Sequence, residues 1–262
     1  MSFILDTIVD RKKEEVELLY RNGIQIPREF ADKPVETPRG FIQSLLSAKG
    51  VGIIAEAKKA SPSKGVICEN FFPIEIARNY EKQGASCISV LTDEQFFQGC
   101  LLYLMQARAA VKLPVIRKDF IIDPLQIDEA ACCGADAILL IAAILEQNQL
   151  ADYHDQAEEK GMDVLVEVHD EAECEMVLET GRPRLLGVNN RNLRDFTVNI
   201  ETTFRLQKMV PPEIPLVSES GLTSVADMKR LRDAGIAGAL IGETLMRAGE
   251  KSELLQALRG GQ

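Results

Sequence analysis

Two glutamates of this sequence are embedded in apolar runs. Glu56 stands in the run IIAEA (53–57), and Glu167 stands in the run VLVEV (164–168). If these runs are strands, each carboxylate points into an interior or against covering helices, and burial without a partner is costly in both places. A lysine or arginine must therefore pair with each glutamate. Buried carboxylates with lysines between them indicate proton transfer, because burial and pairing separate an acid from a base.

Further polar residues stand at the ends of other apolar runs. The cations available to the two glutamates are Lys58, Lys118 and Arg191. The remaining polar or turn residues at run ends are Asn189, Glu219, Ser220, Gly221, Gly242 and Glu243. Taken singly, a charged residue at a strand end is usually a solvated rim residue or half of a structural ion pair. Their accumulation at the carboxyl ends of candidate strands predicts one shared site.

Two of these ends are small turns suited to an anion. Ser220-Gly221 follows the seventh candidate strand, and Gly242-Glu243 follows the eighth. Backbone N–H groups in such turns can surround a phosphate, and in a barrel of parallel strands the turns after strands 7 and 8 are the usual place for one. Glycine-containing turns alone are a weak signal. Their position predicts a phosphorylated substrate.

The elements that must position these residues follow a regular alternation. Short, mostly β-branched apolar runs predict eight strands whose ends recur at intervals of roughly 22 to 35 residues, the length of one β/α unit. The predicted strands are 52–56, 87–91, 114–118, 137–141, 164–168, 185–189, 215–219 and 239–242. Eight such units favour an α/β fold closed into a single (β/α)8 TIM barrel over an open doubly wound sheet.

Helical patterns separate the predicted strands. They cover 73–82, 124–132, 145–159, 171–179, 202–209 and 224–233. Gly84, Gly134, Gly161 and Gly235 stand just before strands, where a helix C-cap needs a left-handed backbone. The segment 1–20 predicts an extra amphipathic helix that could cap one end of the barrel. With 262 residues and no linker-like segment, we expect one domain over 1–262, with 1–50 as an N-terminal helical extension.

The overall charge limits the class of partner. The formal net charge is −10 and the isoelectric point is near 4.9. Such a surface repels nucleic acid and anionic membranes, so an anionic substrate must be captured by a local cationic cluster. The N-terminal helix has no apolar run long enough for a signal peptide or a membrane span, which makes the cytoplasm the expected location.

The cysteines and histidines add little chemistry. We expect the six cysteines to be small buried residues in a reducing compartment, because their spacing fits neither a metal site nor a disulfide framework. His154 lies in a polar helical pattern and is predicted to be solvated. For His169, a structural or supporting use is favoured over catalysis. Segment 60–65 (ASPSKG) is either a flexible loop that closes over the site or an ordinary surface turn.

The residues also carry a resemblance to a known family. The chain resembles the indole-3-glycerol phosphate synthases over nearly its whole length. The resemblance is carried by the stretches 54–65, 91–99, 116–124, 166–169, 187–193 and 218–221, and by the N-terminal block 4–16. The resemblance implies a monofunctional carboxy-lyase of tryptophan biosynthesis that uses neither cofactor nor metal. Other enzymes of that pathway are the candidate protein partners.

The resemblance also implies roles. The substrate would be 1-(2-carboxyphenylamino)-1-deoxyribulose 5-phosphate, which is closed to indole-3-glycerol phosphate with loss of carbon dioxide and water. Lys118 is implied as the general acid of ring closure and Glu167 as the general base of dehydration, with Glu56 tuning the lysines. Lys118 and Lys58 remain alternatives for the acid of dehydration.

Substrate-binding roles follow in the same way. Lys58, Ser61 and Arg191 are expected to hold anionic groups, and Asn189 is expected to hold hydroxyls. Phe120 and Phe97 would wall the aromatic ring, although simple packing explains Phe97 equally well. The two turns, together with Glu219, complete the predicted binding set.

Two other functions fit the same fold. A Schiff-base aldolase would also use a barrel lysine, but the sixth strand ends in Asn189 and Arg191 and offers no lysine. A non-catalytic sugar-phosphate-binding barrel would keep the phosphate turns but has no use for Lys118 and Glu167 together.

Overall fold

A computed structural model describes residues 3–192, 195–249 and 252–260. Its helices are α1 (Phe3–Asn22), α2 (Phe41–Leu46), α3 (Pro73–Lys82), α4 (Leu101–Ala110), α5 (Pro124–Cys132), α6 (Gln147–Glu159), α7 (Glu171–Glu179), α8 (Glu201–Gln207), α9 (Val225–Asp233), α10 (Glu243–Ala248) and α11 (Leu254–Gly260). Short 3-10 turns cover Arg28–Phe30 and Ala142–Ile144. Among the residues that the structure describes, no helix has the length and apolar character needed to cross a bilayer.

Eight parallel strands form a closed barrel. They are β1 (Gly52–Ala57), β2 (Cys87–Leu91), β3 (Val115–Lys118), β4 (Ala137–Ile141), β5 (Asp163–Val168), β6 (Leu186–Asn189), β7 (Leu216–Glu219) and β8 (Gly238–Ile241). Each strand pairs with the next, and β8 closes on β1 through Gly52 opposite Gly238. The predicted (β/α)8 barrel is therefore confirmed. Strands β3 and β7 begin one residue later than predicted, because Pro114 and Pro215 have no N–H to donate.

The helices agree less completely with the sequence. Helix α6 begins at Gln147 rather than at Leu145, because Glu146 and Gln149 form a capping box that fixes its start. The helices α2, α4, α10 and α11 were not among those predicted. The four glycines predicted as helix caps all adopt the left-handed conformation, with φ between 74° and 85°.

The barrel separates two apolar cores. The larger core lies between the outer faces of the strands and the helices. The smaller core fills the interior, and its side chains come from alternate positions of the strands, such as Ile54, Ile116 and Leu165. Phe41 and Leu45 of α2 are fully buried in this inner core. A Cβ at Gly52 would lie 2.5 Å from the carbonyl oxygen of Leu45, so α2 closes the end of the barrel where the strands begin.

The cysteines divide between the core and the surface. Cys87, Cys133 and Cys174 are buried, as predicted. Cys132 is exposed, because neighbouring side chains on a helix diverge and Cys133 takes the inward position. Cys68 and Cys100 are partly exposed, so the expectation of burial is wrong for three of the six. All six are free thiols.

Helix α1 lies across the other end of the barrel and is fixed there by a buried lysine. The Nζ atom of Lys12 lies 2.9 Å from Asp93 and 2.9 Å from Asp119, and the Lys12 side chain is only 2% exposed. Glu15 on the same helix is a third partner at 2.7 Å. Burial opposes the charge on Lys12, but Asp119 and Asp93 outweigh it and raise the pKa of Lys12 above its ordinary value. The extension therefore docks through charge as well as through apolar packing.

Replacing Lys12 with methionine should strongly destabilise the protein. The change leaves two buried carboxylates without their shared cation, and breaking a buried pair in this way costs about 3 to 5 kcal/mol. Urea unfolding followed by circular dichroism measures the loss. Lys13→Met is the matched control, because Lys13 is exposed and pairs only with exposed Asp10, which is worth about 0.5 kcal/mol or less. Equal stability of the two variants would contradict the docking role of Lys12.

Candidate active site

The carboxyl ends of the strands open into a cavity of about 430 Å³. Every site residue predicted from the sequence lines it. These residues are Glu56, Lys58, Ser61, Lys118, Phe120, Glu167, Asn189, Arg191, Glu219, Ser220, Gly221, Gly242 and Glu243. The fold brings them together because parallel strands end at the same edge of the barrel. Their placement is a structural fact, whereas their individual roles remain predictions.

Lys118 is the centre of the charged floor of the cavity. Its Nζ atom donates to Oε2 of Glu167 at 2.8 Å and lies 3.3 Å from Oε2 of Glu219. Both glutamates are almost fully buried, and β5 and β7 present them from the far side of the barrel. The absence of a side chain at Gly187 makes this possible, because a Cβ there would overlap Oε1 of Glu219.

Burial and charge set the protonation states of this triad. Burial opposes the charge on Lys118, but Glu167 and Glu219 outweigh it and hold the pKa of Lys118 above its ordinary value. Burial also acts on Glu167, yet Lys118 and His169 hold its pKa well below the usual range. For Glu219, burial and the neighbouring Glu167 outweigh Lys118 and raise its pKa to about 8. The charge is therefore divided unequally, with Lys118 and Glu167 favoured as ions and Glu219 favoured as a neutral carboxyl group.

Glu56 and Lys58 form a second acid–base pair at the end of β1. Their side chains are joined by a contact of 2.6 Å between Nζ and Oε1. Gly242, just after β8, packs directly against Glu56, and a Cβ on Gly242 would overlap the Glu56 carboxylate. The sequence left Lys58, Lys118 and Arg191 as alternative partners for the two embedded glutamates. In the structure, Lys58 pairs with Glu56 and Lys118 pairs with Glu167.

Asn189 ends β6 and Arg191 lies just after it, on the opposite wall. Asn189 donates from Nδ2 to Oε1 of Glu167 at 3.1 Å, and its own Oδ1 accepts the backbone N–H of Arg191. The Arg191 guanidinium donates to the carbonyl oxygen of Phe196 at 3.4 Å, and both residues line the cavity. Arg191 therefore lies at the cavity wall and, among the described residues, is not paired with a buried glutamate.

The two predicted phosphate turns face the same part of the cavity. Ser220 and Gly221 adopt consecutive left-handed conformations, with φ of 67° and 80°. Gly242 and Glu243 lead into α10. Arg247 on α10 also lines the cavity and pairs with Glu243 at 2.8 Å. Sequence reasoning missed Arg247, because it lies inside a helix rather than at a strand end. The signal that the sequence offered is the spacing of four residues between Glu243 and Arg247, which is typical of an ion pair on one face of a helix.

An apolar wall completes the cavity. The rings of Phe97 and Phe120 lie 6.0 Å apart and both line it. Ile4, Leu5 and Ile8 of α1 lie opposite the strands, so the predicted extra helix caps the mouth with apolar side chains. The segment 60–65 forms a small hairpin between Ala60–Ser61 and Gly65–Val66, and its tip also lines the cavity.

The two histidines lie outside the cavity lining. His154 is only 1% exposed, so the prediction that it is solvated is wrong. It shares the inward stripe of α6 with Leu150, Tyr153 and Ala157, whose spacing of 3, 4 and 7 faces one side of a helix. His169 contacts Glu167 and Glu173, with its ring nitrogens 3.2 Å and 3.0 Å from their oxygens.

One group of side chains in the described parts of the chain has ligands close enough for a metal ion. Potential ligand atoms of His154, Asp155 and Glu158 lie within 4.8 Å of one another. Arg182 already pairs with Asp155 at 2.6 Å, and Arg184 pairs with Glu158 at 2.8 Å. These arginines neutralise both carboxylates, and none of the three potential ligands lines the cavity.

Known sequences resemble this chain over its whole length. A family model described as indole-3-glycerol phosphate synthase matches residues 5–258. The protein of that name from Desulfotalea psychrophila is 65% identical over 258 residues, which cover 98% of this chain and 99% of that protein. The protein of that name from Polynucleobacter asymbioticus is 51% identical over 269 aligned positions, with the same coverage of 98% and 99%.

Solved structures share the barrel at much lower identity. One described as "Native KDPGal structure" has a TM-score of 0.56 and 18% identity, and the match covers 80% of this chain and 93% of that one. One described as "Crystal structure of KGPDC from Streptococcus mutans" has a TM-score of 0.58 and 11% identity, and covers 81% and 97%. At these identities the likeness shows the fold alone.

Adding a methyl group at Gly242 should destabilise the protein through its clash with Glu56. The backbone φ of −117° accepts alanine, so the clash is the cause of the loss, and overpacking of this kind costs about 1 to 3 kcal/mol. Urea unfolding of Gly242→Ala measures it. The same glycine change made in a Glu56→Ala background should cost less stability, because the carboxylate that overlaps the new Cβ is absent and only the Glu56 Cβ remains, 3.1 Å away. Gly260→Ala is the control, since a Cβ there meets nothing within 4 Å. An equal loss from Gly242→Ala in the two backgrounds would contradict this packing.

Proposed function

The chain belongs to the indole-3-glycerol phosphate synthase family, and from that membership we propose how its cavity residues divide the work of one reaction. The enzyme converts 1-(2-carboxyphenylamino)-1-deoxyribulose 5-phosphate into indole-3-glycerol phosphate, carbon dioxide and water, in tryptophan biosynthesis. Named synthases are 65% and 51% identical to this chain over 98% of its length. This similarity excludes the two other functions, the Schiff-base aldolase and the non-catalytic sugar-phosphate-binding barrel. The pair of Lys118 and Glu167, 2.8 Å apart on the cavity floor, carries the proposed assignment.

Lys118 is the general acid of ring closure. The ring carbon that bears the carboxylate attacks the ribulose ketone, and negative charge develops on the ketone oxygen. An ammonium both stabilises this charge and delivers the proton that turns the alkoxide into a hydroxyl. Lys118 suits this step because Glu167 keeps it charged until a stronger proton acceptor enters the cavity.

Glu167 is the general base of the last step. After ring closure the intermediate loses carbon dioxide, and its cationic nitrogen takes up the electron pair. Dehydration then restores aromaticity, with a carboxylate removing a proton while hydroxide departs with a proton from an acid. Glu167 suits the base role because it remains ionised in its buried position.

Lys58 is the acid that protonates the departing hydroxide. Lys118 has already given a proton to the substrate, whereas Lys58 belongs to a separate pair with Glu56. Two pairs on different strands allow the two proton deliveries to proceed without recharging one lysine between them. Between the two lysines that the sequence left as alternatives, we therefore propose Lys58.

The remaining cavity residues hold the substrate. The turns Ser220–Gly221 and Gly242–Glu243 supply backbone N–H groups to the phosphate, with Arg247 and Ser61 beside them. Arg191 receives the carboxylate of the substrate, and Asn189 binds a hydroxyl while it holds Glu167 in place. Phe120 and Phe97, with the apolar side chains of α1, enclose the aromatic ring. We place the enzyme in the cytoplasm, because six free thiols suit a reducing compartment.

Removal of either member of the central pair should nearly abolish turnover. A positioned acid or base typically contributes about 10² to 10⁴-fold, so Lys118→Met and Glu167→Gln should each lower kcat by at least about 100-fold. Indole fluorescence after mixing enzyme and substrate measures the rate. Lys112→Met is the control, because Lys112 is an exposed lysine outside the cavity. Full activity in both cavity variants would refute the assignment, and an inactive parent protein would refute the function.

Lys58→Met should uncouple the release of carbon dioxide from the formation of indole. If Lys58 acts only in dehydration, ring closure and decarboxylation proceed before the block. A substrate labelled with ¹⁴C in its carboxylate should then release label in a first turnover while indole fluorescence falls by at least about 100-fold. Equal loss of both signals would place Lys58 at or before ring closure and contradict its proposed role.

A further inference from the structure

His169 joins the carboxylate of Glu167 to a second carboxylate outside the cavity. Its Nε2 atom lies 3.2 Å from Oε1 of Glu167, and its Nδ1 atom lies 3.0 Å from Oε2 of Glu173. Glu167 belongs to β5, whereas Glu173 lies in the first turn of α7. The imidazole therefore stands between a barrel strand and the helix that follows it.

Glu173 fixes the orientation of this ring. The same oxygen of Glu173 that contacts Nδ1 also accepts the backbone N–H of His169 at 2.8 Å. Asp170, the N-cap of α7, accepts the backbone N–H of Glu173 at 3.0 Å and so holds the first turn of the helix. Turning the ring away from Glu167 would break its contact with Glu173.

The His169 ring contacts the carboxylate of Glu167 from outside the cavity. Oε2 of Glu167 accepts from Lys118 on the cavity side, while Oε1 receives Asn189 at 3.1 Å and faces His169. The ring N–H is not aligned on that oxygen, so the contact is an electrostatic attraction rather than a good hydrogen bond. His169 does not line the cavity, so it acts through Glu167 and does not touch the substrate.

The local charges favour an imidazolium. Burial opposes a charged ring, but the carboxylates of Glu167 and Glu173 outweigh burial and raise the pKa of His169 to about 10. These two carboxylates are the charged groups that face the ring from β5 and α7, and Lys118 lies beyond Glu167. Asn189 is a neutral donor and cannot replace a cation at this place.

We propose that His169, anchored by Glu173, is a positioning residue that keeps Glu167 ionised after Lys118 has given its proton to the substrate. The proposal rests on the roles assigned above to Lys118 and Glu167. Before ring closure, Lys118 at 2.8 Å and His169 at 3.2 Å both give Glu167 a countercharge. After the proton transfer Lys118 is neutral, and His169 is the cation that remains in contact with Glu167 among the described residues. The base is thus available when dehydration needs it.

The pH dependence of the single-turnover rate of indole formation tests this role. His169→Asn removes the positive charge but retains a polar donor, so Glu167 should take up a proton more readily. The acid limb of the pH–rate profile, where the rate falls as Glu167 becomes protonated, should therefore move up by about one pH unit. Glu173→Gln leaves the ring in place but removes its anchoring charge. The imidazolium is then less stabilised but still forms at the pH of the acid limb, so that limb should move by less than about 0.3 pH unit. KM should change by less than about two-fold in both variants, because neither residue lines the cavity.

Glu175→Gln is the matched control, because Glu175 is an exposed glutamate on the same helix. A purely structural role for His169 would lower the rate at every pH and leave the acid limb where it is, and that result would overturn the proposal. If His169→Asn fails to fold, His169→Gln takes its place: an acid limb identical to that of Glu175→Gln would also overturn it. Loss of the proposed function would appear separately, as an inactive parent protein or as full activity in Glu167→Gln.

Discussion

Lys118 is shared by two buried carboxylates, with Glu167 at 2.8 Å and Glu219 at 3.3 Å from its ammonium nitrogen. Three ionisable groups in so small a volume cannot all carry charge, because burial penalises every charge that lacks a partner. Burial and the neighbouring Glu167 therefore raise the pKa of Glu219, while Lys118 and His169 lower the pKa of Glu167. The other features of the site serve to place and maintain this arrangement.

Small residues make room for the carboxylates. Gly187 on β6 leaves space for Glu219, and Gly242 after β8 leaves space for Glu56. In each case a Cβ would overlap a carboxylate on a neighbouring strand, so the two glycines are required by close approach and not by backbone conformation. The barrel interior below them is filled by the inner apolar core and closed by α2, which provides a rigid base for the charged layer.

The N-terminal helix is coupled to the same layer through one strand end. Lys118 points into the barrel, while the next residue, Asp119, pairs with Lys12 of α1 and with Arg117. Asp93 is the other buried partner of Lys12, and its second oxygen accepts the backbone N–H groups of Phe96 and Phe97. Lys12 thus connects the end of β3, which carries Lys118, with the segment after β2, which carries Phe97.

By itself the sequence determined the order of the strands, the closed barrel and most of the strand-end residues of the cavity, because apolar runs of regular spacing and polar strand ends are local patterns. It also identified Glu56 and Glu167 as groups in need of partners. The tertiary structure alone decided which cation each received, that Glu219 joins Lys118, and that His154 faces inward while His169 stands between two carboxylates. Pairing depends on distances between side chains far apart in the chain, and only the closure of the barrel sets those distances.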